Sequence, residues 1–75
     1  MVLDPNLPVP LWEQLANLLR VKINSGTYRG KLPSARTLAQ EHGVSHKTSE
    51  HALSTLRDEG LVVAVKGLGY FVAQR

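Results

Sequence analysis

The chain has no cysteine. That absence excludes a disulfide framework and a thiolate zinc site, and it permits a reducing compartment. No apolar run approaches the roughly 20 residues that a membrane span needs. The opening Met1-Val2-Leu3-Asp4-Pro5 lacks the basic region and apolar stretch of a secretory signal, so the expectation is a cytoplasmic protein that does not enter a membrane. No Ser/His/Asp constellation and no phosphate-cradling loop can be placed, so neither an enzyme nor a cofactor is expected. Internal repeats and low-complexity tracts are also missing. With 75 residues there is room for one domain and one modest core, and none for a deep catalytic cleft. Acidic residues are the minority: six Asp and Glu face nine Lys and Arg, a net charge of +3. This balance suits a nucleic-acid partner, although many small basic proteins bind none.

What is present is a clear run of elements. Pro5, Pro8 and Pro10 bar a helix from the first residues and predict an extended N-terminal arm over 1–9, with Leu3, Leu7 and Val9 able to pack on the body or on a partner. The folded domain is expected over 10–75. Trp12, Leu15, Leu19 and Ile23, with Leu11 and Leu18, mark one face of a first helix over 11–25. Glu13, Gln14, Asn17 and Arg20 fall on its polar side, and Ser25-Gly26 stops it. Residues 27–33 read as irregular, with Tyr28 and Leu32 at the ends of a brief strand that Gly30 bends. Ser34 is a good N-cap for a second helix running to about His42, with Leu38 and Ala39 inward. Gly43 ends it, Val44 is a buried turn residue, and Ser45 caps a third helix with Ala52, Leu53 and Leu56 on one face and Ser49 at its edge. Gly60 closes that helix. Residues 61–65 and 70–73 read as two strands joined through Lys66-Gly67-Leu68-Gly69, a hairpin with a glycine-rich tip.

Two short helices joined through Gly43-Val44-Ser45 and followed by a hairpin form the pattern of a winged helix-turn-helix: mainly α, three helices plus a wing. In that geometry the N-terminal part of the third helix reaches base edges in the major groove of double-stranded DNA. Here this part holds Ser45, His46, Lys47, Thr48, Glu50 and His51. Ser34 and Arg36 open the second helix, which crosses the phosphate backbone. The wing tip offers Lys66, while Gly67 and Gly69 let the backbone approach the duplex. Each piece also has a plainer account. Ser34 and Ser45 are needed as caps without any DNA. Lys47 and Arg57 can simply solvate a helix face. Gly67 and Gly69 suit any tight hairpin. His46 and Glu50, four apart, can share a metal or form an ordinary i,i+4 ion pair, the plainer of the two. The signal lies in the combination and its order.

That combination resembles the DNA-binding domain of GntR-type bacterial regulators from about Pro10 to Ala73. Pro10-Leu11-Trp12-Glu13-Gln14-Leu15 is similar to the family's opening helix, and Ile23-Asn24-Ser25-Gly26-Thr27-Tyr28 to its exit. Leu32-Pro33-Ser34-Ala35-Arg36-Thr37-Leu38-Ala39 resembles the second-helix motif. Gly43-Val44-Ser45 with Thr48 and Ala52-Leu53 resembles the turn and recognition helix. Glu59-Gly60-Leu61-Val62 and Gly67-Leu68-Gly69-Tyr70-Phe71-Val72 resemble the wing. The resemblance implies that Ser34, Arg36, Ser45, Thr48 and Gly67 touch DNA. It also implies a C-terminal effector or dimerisation domain in such proteins, so that this chain is either a domain of one or a small protein of the type. There are departures. His46 and Glu50 stand where the family usually has Arg, Ser49 where it has an apolar residue, and Leu68 where it has a basic one; Arg29-Gly30-Lys31 looks two residues short. Losing two cations lowers affinity and flattens its salt dependence, which implies an atypical operator.

The expected function is therefore sequence-specific binding of double-stranded DNA in transcription regulation, with two copies, a homodimer, on a two-fold-related site. The rival reading is a winged-helix module that pairs with proteins and does not touch DNA. Glu50, Leu68 and the apolar arm lean toward it, and the sign of charge around the third helix discriminates the two.

Overall fold

The computed structural model describes residues 3–73. Residues 1–2 of the expected arm and 74–75 of the expected domain lie outside the described residues. In chain order the elements are α1 (Leu11–Asn24), α2 (Ala35–His42), α3 (His46–Asp58), β1 (Val62–Val65) and β2 (Gly69–Val72). This is the three-helix winged arrangement, with α3 packed on both α1 and α2 and leading into β1.

The core is aliphatic. Leu15, Leu18 and Leu19 of α1 meet Leu38 of α2, Ala52, Leu53 and Leu56 of α3, Leu32 from the connection and Val62 of β1. Burying one such leucine contributes roughly 1.5–3 kcal/mol before the entropy of ordering it is subtracted. Two polar side chains join this interior, and neither is where periodicity puts it. Gln14, assigned to the polar side of α1, is buried. Its amide is satisfied locally: Nε2 donates to the carbonyls of Asp4 and Val9 at 2.8 Å each, and Oε1 accepts from the Asp4 N–H at 2.8 Å. A buried amide is tolerated when its hydrogen bonds are made. These bonds fasten the N-terminal segment to α1, and Leu3 packs against the core. The segment is not extended throughout: Leu7 N–H donates to Asp4 O at 3.2 Å, closing a turn. Ser49, expected at the edge of the apolar face of α3, is fully buried, and its Oγ finds no partner among the described residues.

The helix-turn-helix is set by local chemistry. Gly43 adopts φ +65°, a left-handed cap that a side chain disfavours, and Val44 N–H then donates to Ala39 O at 3.1 Å. Val44 itself is half-buried, not fully enclosed. Arg20 of α1 and Glu59, which caps the C-terminus of α3, are joined by two hydrogen bonds of 2.7 and 2.6 Å. The hydrogen bond from Arg20, helped by Coulombic attraction and opposed by desolvation, holds the Glu59 carboxyl below its ordinary range.

The hairpin is antiparallel, pairing Val62 with Val72 and Val65 with Gly69. It is shorter at each outer end than the expected 61–65 and 70–73. The brief strand expected around 28–32 reduces to one bridge, Lys31 opposite Phe71. Its hydrogen bonds, Leu32 N–H to Tyr70 O at 2.9 Å and Val72 N–H to Gly30 O at 2.8 Å, place β2 of the two-stranded sheet between this bridge and β1, whose other edge is unpaired among the described residues. No helix among the described residues is long and apolar enough to cross a membrane.

Candidate nucleic-acid interface

With Ser49, Ala52, Leu53 and Leu56 turned into the core, the opposite side of α3 is left uncovered. Lys47, Glu50, His51, Ser54 and Arg57 follow one another at helical spacing along it. Together with Tyr70 of β2 they line an open concavity of about 530 Å³. A convex helix beside a shallow hollow flanked by a hairpin suits an extended, grooved partner better than a small molecule.

Both helices of the helix-turn-helix open with the same device. Ser34 Oγ accepts from the Thr37 N–H at 3.1 Å and donates to Thr37 Oγ1 at 3.0 Å. Ser45 does the same with Thr48, at 3.1 and 2.9 Å. The serine protons are thus engaged inside the caps, and the hydroxyl left to donate outward is the threonine's in each case. Thr48 is among the residues that the sequence pattern points to; Thr37, which is exposed, is not. Ser34 and Ser45 act in this structure as caps, the plainer of their two roles. Arg36, second in α2, is exposed and makes no hydrogen bond or ion pair among the described residues; Lys47 and Lys66 are likewise exposed.

His46 and Glu50 meet each other: Nε2 and Oε1 lie 3.3 Å apart at the exposed start of α3, an ion pair whenever the imidazole is protonated. Arg57 bonds to Ser54 Oγ at 3.2 Å and lies 3.7 Å from Asp58. His51 is held differently. Its ring stacks on the indole of Trp12 from α1, centroids 4.0 Å apart and planes inclined by 18°.

At the wing tip Leu68 N–H donates to Val65 O at 3.0 Å, closing a turn with Lys66 in its second position. Gly67 occupies the third with φ +83°, the value a type II turn requires there. Gly69 lies beside the stem of Lys31, whose Cε is 3.7 Å from the place of an added Cβ.

The structure therefore brings Lys47, Glu50 and His51 onto one surface and leaves Ser34, Arg36, Ser45 and Thr48 at two helix starts. Lys66, Gly67 and Gly69 form the hairpin tip. The sequence pattern omits Ser54 and Tyr70, and assigns Arg57 only to a solvated face. Continuing the 47, 50, 51 spacing to 54 and 57 finds two of these. Nothing local signals Tyr70, Lys31 or Trp12, which arrive through tertiary packing.

Residues 11–72 match the model of the bacterial regulatory proteins, gntR family. The chain belongs to the GntR family. One relative, the uncharacterized HTH-type transcriptional regulator YjiR of Escherichia coli (strain K12), is 48% identical over 85% of this chain and 14% of its own length. Among solved structures, YtrA from Sulfolobus acidocaldarius, a GntR-family transcription factor, is 33% identical with a TM-score of 0.87, over 97% of this chain and 79% of that one. The AraR DNA-binding domain in complex with operator ORX1 is 31% identical with a TM-score of 0.86, over 97% and 93%. The chain spans only 14 to 31% of the first curated relatives it matches. The family is one of regulators, in agreement with the non-enzymatic reading.

Proposed function

We propose that this chain binds double-stranded DNA as the operator-reading domain of a GntR-type transcription regulator, working in the cytoplasm. The observation that carries it is the uncovered stripe of α3, Lys47, Glu50, His51, Ser54 and Arg57, on a fold shared with a domain solved on its operator. The stripe enters the major groove. Thr48 and Arg36 bind phosphates and set the register, with the capped first turns of α2 and α3, held by Ser34 and Ser45, directing their free N–H groups at the backbone. His46, Lys47, Glu50 and His51 face base edges. Lys66, Gly67 and Gly69 follow the backbone or minor groove beside α3. Two copies occupy a two-fold-related site.

The protein-pairing alternative draws on Glu50 and on Leu68, which is 59% exposed. Lys47 and Arg57 share the α3 face with Glu50, and Arg36 and Lys66 stand exposed at the start of α2 and at the wing tip, so the balance of charge favours DNA. Fluorescence anisotropy of labelled mixed-sequence duplex at two salt concentrations is the direct test. Binding that weakens steeply with salt is expected; no binding at low salt refutes the proposal.

A further inference from the structure

Trp12 is the second residue of α1, and the DNA-binding reading gives it no work. Its indole nevertheless covers one face of the His51 ring at 4.0 Å. An exposed histidine on a helix ordinarily samples several rotamers, and a base contact must overcome that freedom. Here the freedom is already restricted. Trp12 is half-buried on a helix whose start is tied down by the Gln14 bonds to Asp4 and Val9, so the stacking platform is itself anchored. A ring stacked face-on must present its polar atoms at its edge. Neither ring nitrogen of His51 has a hydrogen-bond partner among the described residues, and the ring lines the concavity beside Lys47 and Glu50. A neutral imidazole offers one donor and one acceptor there.

We infer that Trp12 is a specificity-determining positioning residue: by stacking on His51 it aims the imidazole edge at one base pair of the site. The inference rests on the DNA-binding reading. Trp12 itself stays off the bases.

The test uses the 75-residue chain. A preferred sequence is selected from a randomised duplex pool, and affinity is then measured on that sequence and its single-base variants. His51→Ala should abolish discrimination at one base pair, a loss of about tenfold. Trp12→Ala should abolish it at the same base pair and leave affinity for mixed-sequence duplex unchanged, whereas Trp12→Phe, which keeps a stacking face, should retain it. The double variant should be no worse than His51→Ala alone, because both changes remove one interaction. Trp12 is the sole tryptophan, so its emission should change in His51→Ala without DNA, which also checks that the stack forms in solution. Unaltered discrimination in Trp12→Ala, or additive losses in the double variant, overturns the inference alone. Should Trp12→Ala not fold, loss of discrimination in a folded Trp12→Phe, or an emission indifferent to His51→Ala, overturns it equally. Failure of the wild-type chain to bind any duplex overturns the DNA reading and this inference with it.

Discussion

Among single residues, Ser49 and Glu50 are neighbours with opposite fates. Ser49 faces the core with its hydroxyl unpaired among the described residues, a cost that the helix bears for no visible gain. Ser49→Ala should therefore raise stability by about 1 kcal/mol, seen as a melting temperature higher by roughly 4–8 °C; a lower one would mean that the hydroxyl has a partner. Glu50 faces outward, 57% exposed at the side chain, with its carboxylate toward His46. At a DNA surface it can accept from cytosine N4 and it repels phosphate. Glu50→Arg should strengthen binding, roughly fivefold or more, and change the selected sequence. Arg36→Ala should instead weaken binding to every sequence and reduce the slope of log K against log salt by about 0.9, the share of one phosphate that is no longer neutralised. Equal behaviour of the two variants in a binding titration would contradict their assigned roles.

Between elements, the Arg20–Glu59 pair ties the middle of α1 to the end of α3. Both side chains are partly open to solvent, 29% and 38% exposed, so screening keeps the contribution near 0.5 kcal/mol. Its pH dependence has a definite sign. The Glu59 carboxyl is held below its ordinary value of 4.5 by the Arg20 hydrogen bond, so the stabilisation is complete above that value and disappears as pH falls through the lower folded one. Melting temperatures of wild type and Glu59→Gln should differ at neutral pH and converge as acidification protonates the folded carboxyl; a gap that does not narrow on acidification would assign the difference to something other than ionisation. The helix-turn-helix is equally local. Ser34 and Ser45 each close an identical cap with a threonine three residues on, and replacing either serine with alanine should cost about 1 kcal/mol. These features are legible in the sequence because caps, left-handed glycines and apolar spacing depend on a few consecutive residues. The brief strand around residues 28–32 is less so, since a single bridge to β2 depends on where the hairpin folds back and not on its own propensity.

For the whole molecule, length, charge and the order of elements are enough to reach a winged helix-turn-helix, because 3.6-residue periodicity and turn glycines act along the chain, while the family follows only from the resemblance of its motifs. The same one-dimensional signals place Lys47, Glu50 and His51 on one helix and Lys66, Gly67 and Gly69 at the wing tip. Only tertiary structure decided what shares a surface. Gln14 is polar and still buried, since the N-terminal segment folds back to satisfy it. Ser49 is small enough to be enclosed where α3 meets the core. Tyr70 joins the stripe of α3 across the hairpin, and Trp12 reaches His51 from 39 positions earlier in the chain. Caps and periodicities are written in local backbone geometry, whereas these contacts arise from which faces must be buried together, a quantity that no local segment contains.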